Sequence, residues 1–312
     1  MTMIGIRFSG RAILACAVIC LAAHRSRGQE NKPVPAKNTS RLQSAATREE
    51  KEQMSIIPAA TVTMGIERNE IAHFQKIFGV DGPELFEAEM PRHTAKIRSF
   101  AIDKRLATNA EFYRFVERNE RWNPERIPRG LHNGNYLVHW KAGAYLPADA
   151  NRPVVNVSWY AAVAYCQWEG KRLPTESEWE YAARGGLARP LFPWGDEAAD
   201  KTRANFSESG LGATSEAEKY PANGYGLFDM AGNAWEFTSD EWGPYSVARI
   251  EGQAEGRTLF DRGEAYLGIT TRRVIRGGSW GGAPINLWVE YRDSHPPDGA
   301  KDFVGFRCAK SR

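Results

Sequence analysis

The stretch Asn223–Asp240, NGYGLFDMAGNAWEFTSD, decides more about this chain than any other, together with RGGSW at Arg276–Trp280 downstream. Within it Asp229 and Glu236 stand seven positions apart, with Gly232 in the loop between them. A hard cation such as calcium takes several oxygens from carboxylates and backbone carbonyls held by an irregular loop, which makes the segment a candidate calcium loop. On spacing alone, a capped turn carrying two solvated acids is the stronger reading. The run that follows RGGSW, GGAPINLWVEYRD, contains no cysteine.

Around this segment lies a chain of 312 residues, long enough for one large domain or two ordinary ones. A quarter of the residues are charged and 11% are aromatic, a composition of globular proteins. The formal charge is only +3 and no Lys/Arg-rich run stands out, which argues against a nucleic-acid partner. Seventeen prolines and 29 glycines predict an architecture rich in irregular loops, because both residues interrupt regular structure.

The N-terminus has the layout of an export signal over residues 1–28. Arg7 and Arg11 precede the apolar run Ala12–Ala23, and Ser26 and Gly28 suit a cleavage before Gln29. That run is shorter than the roughly 18 to 20 residues a membrane-spanning helix needs. ILAC at Ile13–Cys16 faintly resembles a lipoprotein cleavage box, so a lipid anchor stays open. Residues 29–53 are polar and charged and read as a disordered tether. The expected location is therefore periplasmic or extracellular. Export would leave two cysteines, Cys166 and Cys308, which invites one disulfide in an oxidising compartment; two inert thiols are the alternative.

From Met54 to the C-terminus no stretch has linker composition, and residues 54–312 read as one domain. SIIPAATVTMG, AKIRSFAID and RRVIRGG have strand character. Thr108 with Glu111, and Thr175 with Glu178, form capping boxes ahead of two helices. Ser158 is an N-cap for WYAAVAYCQWE, in which Trp159, Ala162, Val163 and Cys166 are expected on one buried face. The fold class is α+β with little regular structure.

Many phrases occur in the order found in one family. RPVVNVSWYAAVAYCQWEGKRLPTESEWEYAARGG (Arg152–Gly186), FPWGD, ANF, NGYGLFDMAGNAWEF, RGGSW and GFRCAK together resemble the formylglycine-generating enzyme, or sulfatase-modifying factor, family. TMG at Thr63–Gly65 and IDKRLATNAEFYRFV extend the resemblance across Met54–Lys310. It implies that family's variant of the C-type-lectin-like fold. It also implies pairing of Cys166 with Cys308, which occupy the family's helix and terminal-strand cysteine positions. Ala183 stands where some members have a partner for a second bridge.

The resemblance assigns expectations to individual residues. Positions matching Asp229, Gly232, Ala234 and Glu236 bind calcium in relatives, two of them through carbonyls, which moves the balance towards Ca2+ here. A second calcium site would begin at Asn205 and Phe206, but SESGLGATSEAEKYP offers no clear acidic counterpart. The family's oxidases hold copper(I) on two thiolates just after RGGSW. Here the first of those positions falls on Gly282 and the second on Leu287 or Trp288, so that chemistry is not expected. Positions matching Trp235, Ser279 and Trp280 line the relatives' substrate groove. Beside them Gly282, Arg292 and His295 are added as groove candidates, Arg292 as a clamp and His295 as the best isolated histidine.

No H-x-x-H or H-x-x-x-H pair exists, and no G-x-S-x-G surrounds Ser279, so neither a helical metal motif nor a serine nucleophile is indicated. The expectation is a binding or accessory protein whose groove takes a peptide, a protein or a small molecule. The alternatives are an oxidoreductase of different chemistry, as in siderophore-maturation or iron-dependent relatives, and a cell-surface structural component.

Overall fold

The computed structural model describes residues 53–245 and 259–312. The expected signal segment, Cys16, Cys20 and the tether up to residue 52 lie outside these residues.

Regular structure begins with β1 (Met54–Ile57), and Pro58 separates it from β2 (Ala60–Met64). After helix α1 (Ile71–Phe78) come β3 (His93–Ile97) and β4 (Phe100–Asp103). β2 pairs with β3 as a two-stranded ribbon, while β1, β4 and the C-terminal β9 (Ala309–Ser311) form a three-stranded antiparallel sheet with β4 in the middle. The four-stranded sheet has the order β7 (Arg292–His295), β6 (Arg273–Arg276), β5 (Trp235–Glu241) and β8 (Val304–Gly305). Only the β5–β8 pair in it is parallel. Long loops join these elements, and the whole is α+β.

The expected caps are present. Helix α2 (Asn109–Arg118) opens on the Thr108–Glu111 capping box, and Glu111 Oε2 accepts from the Thr108 amide at 2.9 Å. Helix α3 (Trp159–Trp168) is capped by Ser158, and α4 (Glu176–Ala183) by Thr175, whose hydroxyl accepts from the Glu178 amide at 3.1 Å. One expectation needs correction: α3 does not bury a single face. Every residue from Trp159 to Cys166 is buried, because the helix runs through the centre of the main core rather than over its surface. Its alanines at 161, 162 and 164 let neighbouring backbone approach from several sides.

A disulfide joins Cys166 on α3 to Cys308 just before β9, both fully buried, with a sequence separation of 142. Around it pack Phe112, Phe115, Tyr165 and Phe306, with Phe112 and Tyr165 rings stacked at 5.6 Å.

Charge also ties the layers together. Arg276 of β6 is fully buried and spans Glu176 (3.1 Å) and Glu180 (2.6 Å) on α4. Arg292 of β7 meets Glu176 with two contacts, at 2.5 and 3.0 Å. Groups this deep are tolerable only when paired and hydrogen-bonded; the two terminal nitrogens of Arg276 also donate to the carbonyls of Val289 and Glu290, and its Nε has no partner among the described residues. Helix α4 is thus fixed on the four-stranded sheet by ionic contacts as well as by Trp179.

Candidate functional site

Trp235, Ser279, Trp280 and Gly282 meet at one end of the four-stranded sheet. Trp235 starts β5, and its amide donates to Phe303 O at 2.8 Å. The indole of Trp280 donates to the adjacent Asp302 O at 3.0 Å, and its amide to Asn233 O at 3.1 Å. Ser279 O accepts from the Gly282 amide at 2.9 Å, closing a tight turn after β6. Gly278 makes this turn possible: it sits at φ +76°, and a Cβ there would lie 2.8 Å from Asn286 O. Ser279 and Trp235 are mostly covered, whereas Trp280 and Gly282 are partly open. The fold therefore brings four of the six groove candidates together.

The other two are placed differently. The guanidinium of Arg292 faces inward onto Glu176, also donates to Ala88 O and Gly243 O, and lies 3.9 Å from the centre of the Tyr245 ring. With its donors committed inside the protein, Arg292 has none left to clamp a ligand. His295 pairs with Arg273, towards the Glu241 end of β5, and its ring packs between Phe237 (6.0 Å) and Phe303 (6.3 Å). Both corrections have one cause: β7 is buried along its length against β6 and the segment Pro83–Glu89.

Burial of His295, with Arg272 and Lys301 adding to it and Asp298 opposing, pushes its imidazole down to about 4 from the ordinary 6.5. Between those values the unfolded chain binds the extra proton and the native state does not, so stability falls as pH falls through the window. Urea unfolding at several pH values should show this fall in the parent protein and a shallower one in His295→Leu. An unchanged slope in the variant would mean that His295 is not held neutral.

At the positions of the oxidase thiolates stand Gly282 and two core side chains. Leu287 packs with Phe192, Phe206 and Ala231, and Trp288 with Phe74 and Phe86. Both are buried, and no sulfur is near either in sequence. The two cysteines that the described residues hold are joined to each other.

The candidate calcium loop runs from Asp229 into the start of β5. Asp229 and Asn233 both hold positive φ, +54° and +64°, conformations that side-chain-bearing residues adopt rarely and mainly at constrained sites. Gly232, at φ +80°, passes so close to the Asn205 carbonyl that any Cβ would collide with it. Asp229 is buried; Oδ2 accepts from the Glu218 amide at 3.1 Å, and Oδ1 has no partner among the described residues. Burial, with the charge of Glu236 nearby adding to it, pushes this carboxyl up to about 6. An orphaned buried carboxylate oxygen in a strained loop fits a bound cation. Glu236 is different: both oxygens accept from Arg307, at 2.7 and 2.8 Å, and would be shared with any ion. Among the described residues no three His, Cys, Asp or Glu side chains converge to hold a metal, so calcium here would depend on two carboxylates and on the Gly232 and Ala234 carbonyls.

At the second expected site, Asn205 is wholly buried and committed. Its amide donates to Ala213 O and Asn233 Oδ1, and its Oδ1 accepts from Ser209. These bonds brace the Asp229 loop from behind. Nothing in the GFRC phrase marks Arg307 as the partner of Glu236, which lies 71 positions away in sequence.

Residues 39–312 match the sulfatase-modifying factor enzyme 1-like domain, and the chain belongs to this family. The fold is the family's own, the C-type-lectin-like α+β arrangement with sparse regular structure. Among relatives, the formylglycine-generating enzyme of Streptomyces coelicolor is 36% identical over 265 residues, 72% of this chain and 82% of that protein. The mouse protein named inactive C-alpha-formylglycine-generating enzyme 2 is 33% identical over 279 residues, 75% of this chain and 82% of its own. The solved structure of PvdO from Pseudomonas aeruginosa is similar with a TM-score of 0.58 at 26% identity, over 83% of this chain and 94% of that one.

Proposed function

We propose that this chain is a non-oxidase member of the family, an exported binding or accessory protein that holds a peptide, protein or small molecule in the groove at Trp235, Ser279, Trp280 and Gly282. The observation that carries this reading is the filling of both oxidase-cysteine positions by Gly282 and by core side chains, with Cys166 and Cys308 tied to each other. A thiolate copper centre needs two free sulfurs close together, and the groove offers none. The partly open Trp280 and Gly282, backed by the buried Trp235 and Ser279, are the surface such a ligand would meet. The existence of a mouse relative named as inactive supports a role without turnover on this scaffold.

Calcium at Asp229, Gly232, Ala234 and Glu236 is part of the same reading, supported by the orphaned Oδ1 and the strained loop. Export is supported by the basic and apolar N-terminal pattern and by the buried disulfide. Among the described residues no helix is long and apolar enough to cross a membrane.

Two measurements on the purified protein test the proposal together. Mass-spectrometric elemental analysis should find about one calcium per chain, falling several-fold in Asp229→Asn. Incubation with a sulfatase-derived cysteine peptide should give no formylglycine. Stoichiometric iron or copper would favour the oxidoreductase alternative, and robust peptide conversion would refute the binding role outright.

A further inference from the structure

A crevice of about 270 Å³ is built from the FPWGD turn and two later loops, and it shares no lining residue with the groove described above. Leu227, Met230 and Pro193 are its buried apolar members, and Pro221 and Ala222 stand exposed at its rim. Trp194, partly exposed, forms a wall that is fixed in place. The Phe192 amide donates to Gly195 O at 2.9 Å and the Gly195 amide to Phe192 O at 3.0 Å, which makes FPWG a tight turn. Phe192 stacks on the Trp194 ring at 5.1 Å, and the indole N–H donates to Glu197 O at 2.9 Å. A wall held in this way loses little freedom when a ligand arrives.

The polar side chains of the wall already have partners within the protein. The Thr202 hydroxyl donates to Asp200 Oδ1 at 2.5 Å, and Arg203 is paired with Glu197 at 2.8 Å and Asp200 at 3.3 Å. The Asn223 amide donates to the carbonyls of Ala182 (2.9 Å) and Ala183 (3.1 Å), while its Oδ1 accepts from the amides of Tyr225 and Leu227. Asp229 Oδ2 accepts from the Glu218 amide, and Oδ1 is shielded from solvent and so out of a ligand's reach. What the crevice offers a visitor is apolar surface. We infer that it is a second ligand site, one that takes a small, planar, uncharged aromatic molecule. The site stands whether or not the groove or the Asp229 loop binds anything. A charged or hydroxyl-rich molecule would exchange its water for polar groups that are already engaged, which is costly. An aromatic ring gains from edge or offset contact with the Trp194 indole and from the polarisable side chain of Met230. The volume lies at the small end of ligand pockets and suits a molecule of about two fused rings.

The test is titration of the purified full chain with indole, read by calorimetry and by saturation-transfer NMR. Indole-3-acetate and tryptamine, which carry the same ring with a negative or a positive charge, are titrated alongside. The expected result is saturable binding of about one indole per chain, with each charged analogue weaker by about tenfold or more. Ala222→Phe places a ring at the exposed rim, where it fills the crevice without touching the core, and should weaken indole binding about tenfold or more. Trp194→Ala should do the same, and circular dichroism with the urea midpoint shows that each variant is folded. Trp280→Ala, in the groove, should leave indole affinity at the parental value. Absence of saturable indole binding, equal binding of the charged analogues, or an affinity unchanged in Ala222→Phe overturns the inference. So does loss of indole binding in Trp280→Ala, which would put the ring in the groove and leave the proposed function standing.

Discussion

Replacing Arg307 by alanine should lower the free energy of unfolding by about 3–5 kcal/mol, the usual effect of stripping one partner from a buried ion pair. Arg307 is fully buried, and its guanidinium grips both oxygens of Glu236. Its other contacts reach the carbonyls of Asp103 (3.2 Å), Lys104 (3.1 Å) and Phe228 (2.8 Å), so one side chain links the C-terminal segment, the end of β4 and the start of the Asp229 loop. Removing it strands a carboxylate and three carbonyl groups away from water. Urea unfolding followed by circular dichroism measures the loss. The double variant Arg307→Met/Glu236→Leu should recover much of it, since an apolar pair of similar volume leaves no charge unpaired. A loss in Arg307→Ala below about 1 kcal/mol would mean that water reaches the pair.

Removing the disulfide should cost up to about 4–5 kcal/mol, because a bridge across so long a separation restricts the unfolded chain strongly. The expected result is a clear fall in the urea midpoint of Cys166→Ala/Cys308→Ala relative to the oxidised parent, with the native circular dichroism spectrum retained at low denaturant. Against total stabilities of about 5–15 kcal/mol for single domains, either change alone removes a large fraction of the margin. The two are not independent. The Cys308 amide donates to Asp103 Oδ2 at 3.1 Å, and Arg307 donates to the backbone carbonyl of the same aspartate, so combined variants should deviate from additivity. A double-cysteine variant as stable as the parent would show that packing of α3 alone holds the C-terminal segment.

What could be read from the sequence was local. The Thr108, Ser158 and Thr175 caps act within one helical turn, and each is found where its pattern lies. The strands on either side of Pro58, and β6 within RRVIRGG, follow from β-branched residues and turn punctuation in the same way. Trp235, Ser279, Trp280 and Gly282 were named as a group through family resemblance, and the backbone bonds at Asn233, Asp302 and Phe303 bring them together. Long-range charge pairing left no such trace. Arg292 and Glu176 are 116 positions apart, and nothing in YRDSH tells whether its arginine faces solvent or a buried glutamate. His295, two strands away from its aromatic neighbour on β5, was ambiguous for the same reason.

The pair of positions that lack thiolates is also closed to them by the surrounding packing. Restoring the first would put a Cβ at Gly282 about 3.2 Å from both Ser279 O and Asn286 Oδ1, in a turn already tight. Restoring the second would pull Leu287 or Trp288 out of a cluster of aromatic rings and leave a hollow. One reversal crowds its neighbours and the other abandons them, and neither sulfur is useful without the other. A single cysteine at either position is therefore expected to disturb packing without creating a thiolate pair.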